Sequence, residues 1–129
     1  MGQVYPRLIA EAPRRLKAFV CDASFVEVGT PSDYRRVHQT LAAADGVSPG
    51  TPGARAAIDP SAHLSEAILW DDVSVGAGAR LERVVVADGV RVPAGLAIAD
   101  ACLVPWPEGY ALRSGERRAG DVLIVPGVS

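Results

Sequence analysis

Residues 58–108 can be written as three rows of one 17-residue unit, IDPSAHLSEAILWDDVS, VGAGARLERVVVADGVR and VPAGLAIADACLVPWPE. A fixed period of this length confines a chain to stacked architectures, because each unit can bury its apolar face only against the next. In this alignment Ile58, Val75 and Val92 share one column, Leu64, Leu81 and Ile98 a second, and Leu69, Val86 and Leu103 a third. Around a row these aliphatic corners are six, five and six residues apart, the rhythm of a parallel β-helix whose coils are triangles of short strands. Two positions before each corner the residues are mostly small or slim: Ala62, Ala79 and Leu96, then Ala67, Val84 and Ala101, then Val73 and Val90. Side chains two apart on a strand point the same way, so a narrow prism is expected, with large corners beside small neighbours.

Two outward columns follow from the same alignment. Glu66, Arg83 and Asp100 stack with alternating sign, and at the roughly 4.8 Å spacing of adjacent strands they should form exposed pairs across rows. Ile68, Val85 and Cys102 each precede a corner and should point outward. A contiguous apolar stripe marks a contact surface. It is read as an interface, covered by the N-terminal segment, the C-terminal tail or another subunit.

The flanks divide the chain further. Val4 to Ala12 reads as a short helix that stops before Pro13. Leu16–Val20 and Phe25–Val28 read as two short strands separated by CDAS. Thr30 as N-cap, Pro31 at the first helical position and Asp33 three residues after the cap open a second helix. Tyr34, Val37, Leu41 and Ala44 should form its apolar face, leaving Arg35, Arg36 and Gln39 to water. DGVSPGTPGA, from Asp45 on, reads as a linker and domain boundary. After Pro105 a strand pair, Tyr110–Arg113 and Val122–Val125, should cover the last coil. The expected organisation is a small α+β segment over 1–45, a linker over 46–57, the β-helix over 58–108 and a β tail over 109–129.

Composition narrows the function classes. A formal charge of -2, with 49% hydrophobic and 22% charged residues, supplies no basic field for nucleic acid or an anionic membrane. No run reaches the roughly 18 apolar residues of a membrane span, and the start lacks the apolar core of a signal peptide. A cytoplasmic protein is expected. Cys21 and Cys102 lie far apart in different predicted elements and read as reduced thiols.

The stretch FVEVGTPSDYRRVHQTLAA, with VYPRLI and RLKAF before it, resembles the end of the catalytic domain in sugar-1-phosphate nucleotidyltransferases, especially the mannose-1-phosphate guanylyltransferase-like enzymes. In that family an Asp-x-Gly-Thr-Pro motif precedes a helix carrying Asp-Tyr, a Gly/Pro linker follows, and many members end in hexapeptide coils. The resemblance implies a left-handed β-helix of about three coils and a place in nucleotide-sugar synthesis. It also implies Mg²⁺ as the cofactor of a complete catalytic domain. Glu27 answers to the family's metal-binding aspartate, on a longer arm, and is followed by Val28, Gly29, Thr30 and Pro31. Nothing here matches the family's glycine-rich nucleotide loop, so catalysis by this chain alone is not expected. For this chain alone the residues read more simply as a strand end, a glycine turn and a capped helix.

Three functions compete at this stage. The first is an assembly or regulatory module, a homo-oligomer or the partner of a catalytic nucleotidyltransferase chain. The second is one half of a split transferase, with Glu27 completing the site of a complementary chain. The third is a β-helix acyltransferase with His63 as general base, although His63 reads more simply as an exposed strand residue and His38 as a helix residue beside the apolar face. Three coils are near the minimum for self-supporting stacking, and Leu8, Ile9, Leu16, Phe19, Phe25, Val26 and Val28 need cover. Both considerations favour association.

Overall fold

The computed structural model describes residues 4–12, 14, 16–17, 19–48 and 50–127. Its centre is a stack of parallel ladders in which every pairing joins residues 17 apart. One side of the prism is formed by β1 (Ala57–Ile58), β4 (Ser74–Val75) and β6 (Arg91–Val92). The other two sides run through β2 (His63–Ser65), β3 (Ile68–Leu69), β5 (Arg80–Val86) and β7 (Ala97–Pro105), with β5 and β7 each bending around a corner. Among the described residues most elements are strands.

The aliphatic columns fill the lumen. Leu81, Val86 and Leu103 are almost fully buried, as are Ala79, Val84, Val73 and Val90 from the slimmer columns. Leu64, Leu81 and Ile98 stack in register, but Leu64 is 37% exposed against 1% and 6% for the other two. Leu64 belongs to the lowest row, and no strand lies beneath β2 among the described residues.

The corners also repeat. Arg55, Asp72 and Gly89 form one column of left-handed backbone, Gly78 and Gly95 a second, and Glu66, Arg83 and Asp100 a third. A left-handed conformation costs a non-glycine residue about 1–2 kcal/mol. Four of the five non-glycine corners pair vertically: Arg55 with Asp72 at 2.5 and 2.6 Å, and Arg83 with Asp100 at 2.7 Å through both nitrogens. Forked pairs of this kind fix orientation as well as adding energy. Arg83 also meets Glu82, whereas Glu66 makes no ion pair among the described residues.

The ladder begins inside the Gly/Pro segment. Gly53 N–H donates to the Leu69 carbonyl at 2.9 Å, Ala54 N–H to Asp71 Oδ1 at 2.7 Å and Ala57 N–H to the Val73 carbonyl at 2.9 Å. A Cβ on Gly53 would lie 2.5 Å from the Trp70 carbonyl carbon, so only glycine lets the linker run this close beneath β3.

The flanks depart from the sequence reading in three places. α1 (Val4–Glu11) forms, but none of its residues is buried. The strands expected at Leu16–Val20 and Phe25–Val28 are not formed by the described residues; Phe19, Val20 and Phe25 are 91%, 89% and 86% exposed. Apolar β-branched sequence is not enough for a strand without a neighbour to complete its hydrogen bonds. The described part of the segment before the coil is therefore helical and irregular instead of α+β. In the tail, Tyr110–Arg113 is loop, and the strand pair is β8 (Arg117–Ala119) with β9 (Val122–Pro126). Arg118 stacks 4.2 Å over the Trp106 ring, and Trp106 meets Tyr110 edge-on at 5.9 Å, so these aromatic and charged residues anchor the intervening loop. β9 pairs antiparallel with β7 and buries Val122 and Ile124 over the last row.

Candidate functional site

The segment that carries the Gly-Thr-Pro motif is held by α2 (Pro31–Ala44). Thr30 caps it reciprocally: Thr30 Oγ1 accepts from Asp33 N–H at 3.1 Å, and Thr30 N–H donates to Asp33 Oδ2 at 3.2 Å. Thr30 Oγ1 also donates to the same carboxylate oxygen at 2.8 Å. This hydroxyl, with a smaller contribution from Arg36, holds the Asp33 carboxyl below its ordinary pKa. In this chain the motif's polar atoms are engaged in starting a helix.

α2 lies against the outer face of β5. Ile68 and Val85 are 7% and 8% exposed, although they lie outside the lumen cluster, and Cys102 beside them is half-buried. Burial pushes the Cys102 thiol pKa up, opposed by the nearby Arg35 guanidinium. The outward stripe is thus taken up within the chain. The contacting face of the helix is only partly the one expected: Tyr34 and Val37 are half-buried and Arg36 and Gln39 exposed as read, but Leu41 and Ala44 are exposed. Leu41 is 57% exposed, while Ala42 is buried and Arg35, assigned to water from the sequence, has a side chain only 15% exposed. Arg35 Nη1 donates to the Arg83 carbonyl and lies 4.0 Å from Asp100 Oδ1. Tyr34 packs against Trp70 with ring centroids 6.1 Å apart. His38 is half-buried, with Nδ1 enclosed and without a hydrogen-bond partner among the described residues.

The remaining candidates are dispersed. Glu27 lies exposed in the irregular segment, and no group of three or more His, Cys, Asp or Glu side chains able to hold a metal occurs among the described residues. Mg²⁺ takes near-octahedral oxygen coordination, so Glu27 alone does not fit the ion. His63 is exposed on β2, with Arg80 as its Cα partner in the row above. With Ser65, Glu82, Ala97 and Ala99 they line an open depression of about 870 Å³ on that side of the prism.

Sequence reasoning missed Arg35 because a lone arginine beside an apolar helix stripe reads as solvated. It also missed the Arg55–Asp72 pair, although a signal was present: extending the 17-residue frame one row upward aligns Arg55 with Asp72 and Gly89.

Stacked short strands, a 17-residue register and repeated corners define a hexapeptide-repeat coil, and residues 47–101 match the family described as GlmU-like, C-terminal hexapeptide. The chain carries a region like the C-terminal part of a sugar-1-phosphate nucleotidyltransferase. Over 105 residues it is 31% identical to the mannose-1-phosphate guanylyltransferase of Mycobacterium tuberculosis, an alignment covering 74% of this chain and 29% of that protein. The chain thus spans under a third of that relative's length. No solved structure matches it. No helix among the described residues is long and apolar enough to cross a membrane.

Proposed function

We propose that the chain serves as the C-terminal region of a sugar-1-phosphate nucleotidyltransferase, where a left-handed β-helix of about three coils supports assembly or regulation of nucleotide-sugar synthesis. The observation that carries this reading is the Arg35 clamp. The helix that follows Gly29-Thr30-Pro31 is tied to two rows of the coil through Arg83 and Asp100, so a catalytic end and a stacked scaffold move as one piece. Homo-oligomerisation is part of the proposal, since Phe19, Val20 and Phe25 stand in solvent and association would cover them.

Isothermal titration with a nucleoside triphosphate and Mg²⁺ tests the reading. The protein alone is expected to release no binding heat. Binding by the isolated chain would overturn the scaffold role. Binding that arises only after a catalytic nucleotidyltransferase chain is added would favour the split enzyme, in which Glu27 supplies one metal ligand; the exposure of Glu27 and its neighbours makes that segment available to such a partner.

A further inference from the structure

The two ends of the coil are finished differently. At the upper end β9 adds antiparallel to β7 and closes the lumen with Val122 and Ile124, which are 1% and 4% exposed. At the lower end β1 and β2 are terminal strands, and Leu64 looks out of the open mouth. An uncovered strand edge is a template for another strand. The linker determines what fits there. It fills the level beneath β3, where Gly53 bonds to Leu69, and among the described residues no strand lies beneath β1 or β2; His38, Gln39 and Gly50 flank Leu64 at one corner of the mouth. A second coil cannot stack end to end, because one of its three sides would fall where the linker runs. A single extended strand can enter.

The same chain carries such a strand. Phe25-Val26-Glu27-Val28 alternates apolar and polar at its end, and Val26 and Val28 are 56% and 50% exposed. We propose that Phe25–Val28 of one copy adds antiparallel to β2 of a second copy and caps its lumen, as β9 caps the other end. Residues opposite each other in an antiparallel pair point to the same side. With Val26 opposite Leu64, Val28 faces Ala62, and both valines enter the lumen. Glu27 then lies outward beside His63 and, one row up, Arg80. Sliding the strand so that Val28 meets Leu64 puts Glu27 beside Ser65 and, one row up, Glu82. Charge therefore selects the first register, since like charges side by side across strands are unfavourable. The segment does not close on its own coil in this structure, so the acceptor is another copy. Reciprocal exchange gives two equivalent contacts and a closed two-fold dimer. This exchange deepens the homo-oligomerisation proposed above and rests on it, while the role in nucleotide-sugar synthesis is tested separately by nucleotide binding.

Sedimentation of the full chain and disulfide trapping test it together. In a Cys21→Ser, Cys102→Ser background, a mixture of Val26→Cys and Leu64→Cys proteins should give a cross-linked dimer containing one of each on mild oxidation. The wild type should sediment as a dimer. Glu27→Lys should raise the dissociation constant at least about tenfold by setting like charges together, and adding Arg80→Glu should recover affinity. A wild type that stays monomeric at all concentrations overturns the proposal. So does a dimer indifferent to Glu27→Lys, or a Val26–Leu64 link that forms only within single chains carrying both cysteines. The charge variants report on the dimer even if a cysteine at 64 disturbs the coil.

Discussion

At the scale of single residues, the chain spends its charged side chains on holding bends. Arg83 and Asp100 occupy strained corners and pair with each other, while Arg35 reaches the same corner from the helix. Hydrogen bonding from Arg83 is the main cause of the lowered Asp100 pKa, and Arg55 does the same for Asp72. A carboxyl whose folded pKa is depressed contributes stability that is present above its unfolded value, about 3.9, and is lost as pH falls through the folded value. Unfolding followed by circular dichroism should show stability falling below about pH 4, with a shallower fall in Asp100→Asn. Arg35→Ala should cost about 1.5–3 kcal/mol in urea unfolding, the range for a hydrogen bond from a charged group. Glu66 is left-handed and makes no ion pair among the described residues, so Glu66→Gly should stabilise by up to about 1 kcal/mol.

At the scale of elements, burial ranks the rows. Leu81→Ala should cost about 2–5 kcal/mol, the range for a closely packed core leucine. Leu64→Ala should cost less than about 2 kcal/mol, because its site is already open to water; parallel denaturant titrations compare the two. A Cβ at Gly76 would lie 2.6 Å from the Ala94 nitrogen in the next row. Gly76→Ala should therefore lower the unfolding midpoint, since backbone has to shift. The inward columns, the cap at Thr30 and the end of α1 were all legible in the sequence, because period and capping chemistry are local. The strands at Leu16–Val20 and Phe25–Val28 were not. Strand formation depends on a neighbour, and no string of side chains states whether one is present. The helix face was read correctly at Tyr34 and Val37 but missed at Leu41 and Arg35 for a related reason. Its apolar stripe suggested Leu41, but the acceptor waiting at the Arg83 carbonyl lies 48 residues away.

At the scale of the whole molecule, a well-packed coil carries a loosely covered N-terminal third. The coil's interior was readable from a repeat that recurs within 51 residues, 58–108. The candidate site was far less so, because the residues pointing to chemistry, Glu27, His38 and His63, sit in three different settings and do not converge. The 17-residue register also sets a rule for how such a protein can change length. Removing or duplicating one complete row leaves every lumen residue above its counterpart. An indel of any other size turns part of a row inside out, setting valines against water and arginines against the hollow. Length variation among descendants of this coil should therefore come in whole storeys, or be confined to the stretches that lie outside the walls.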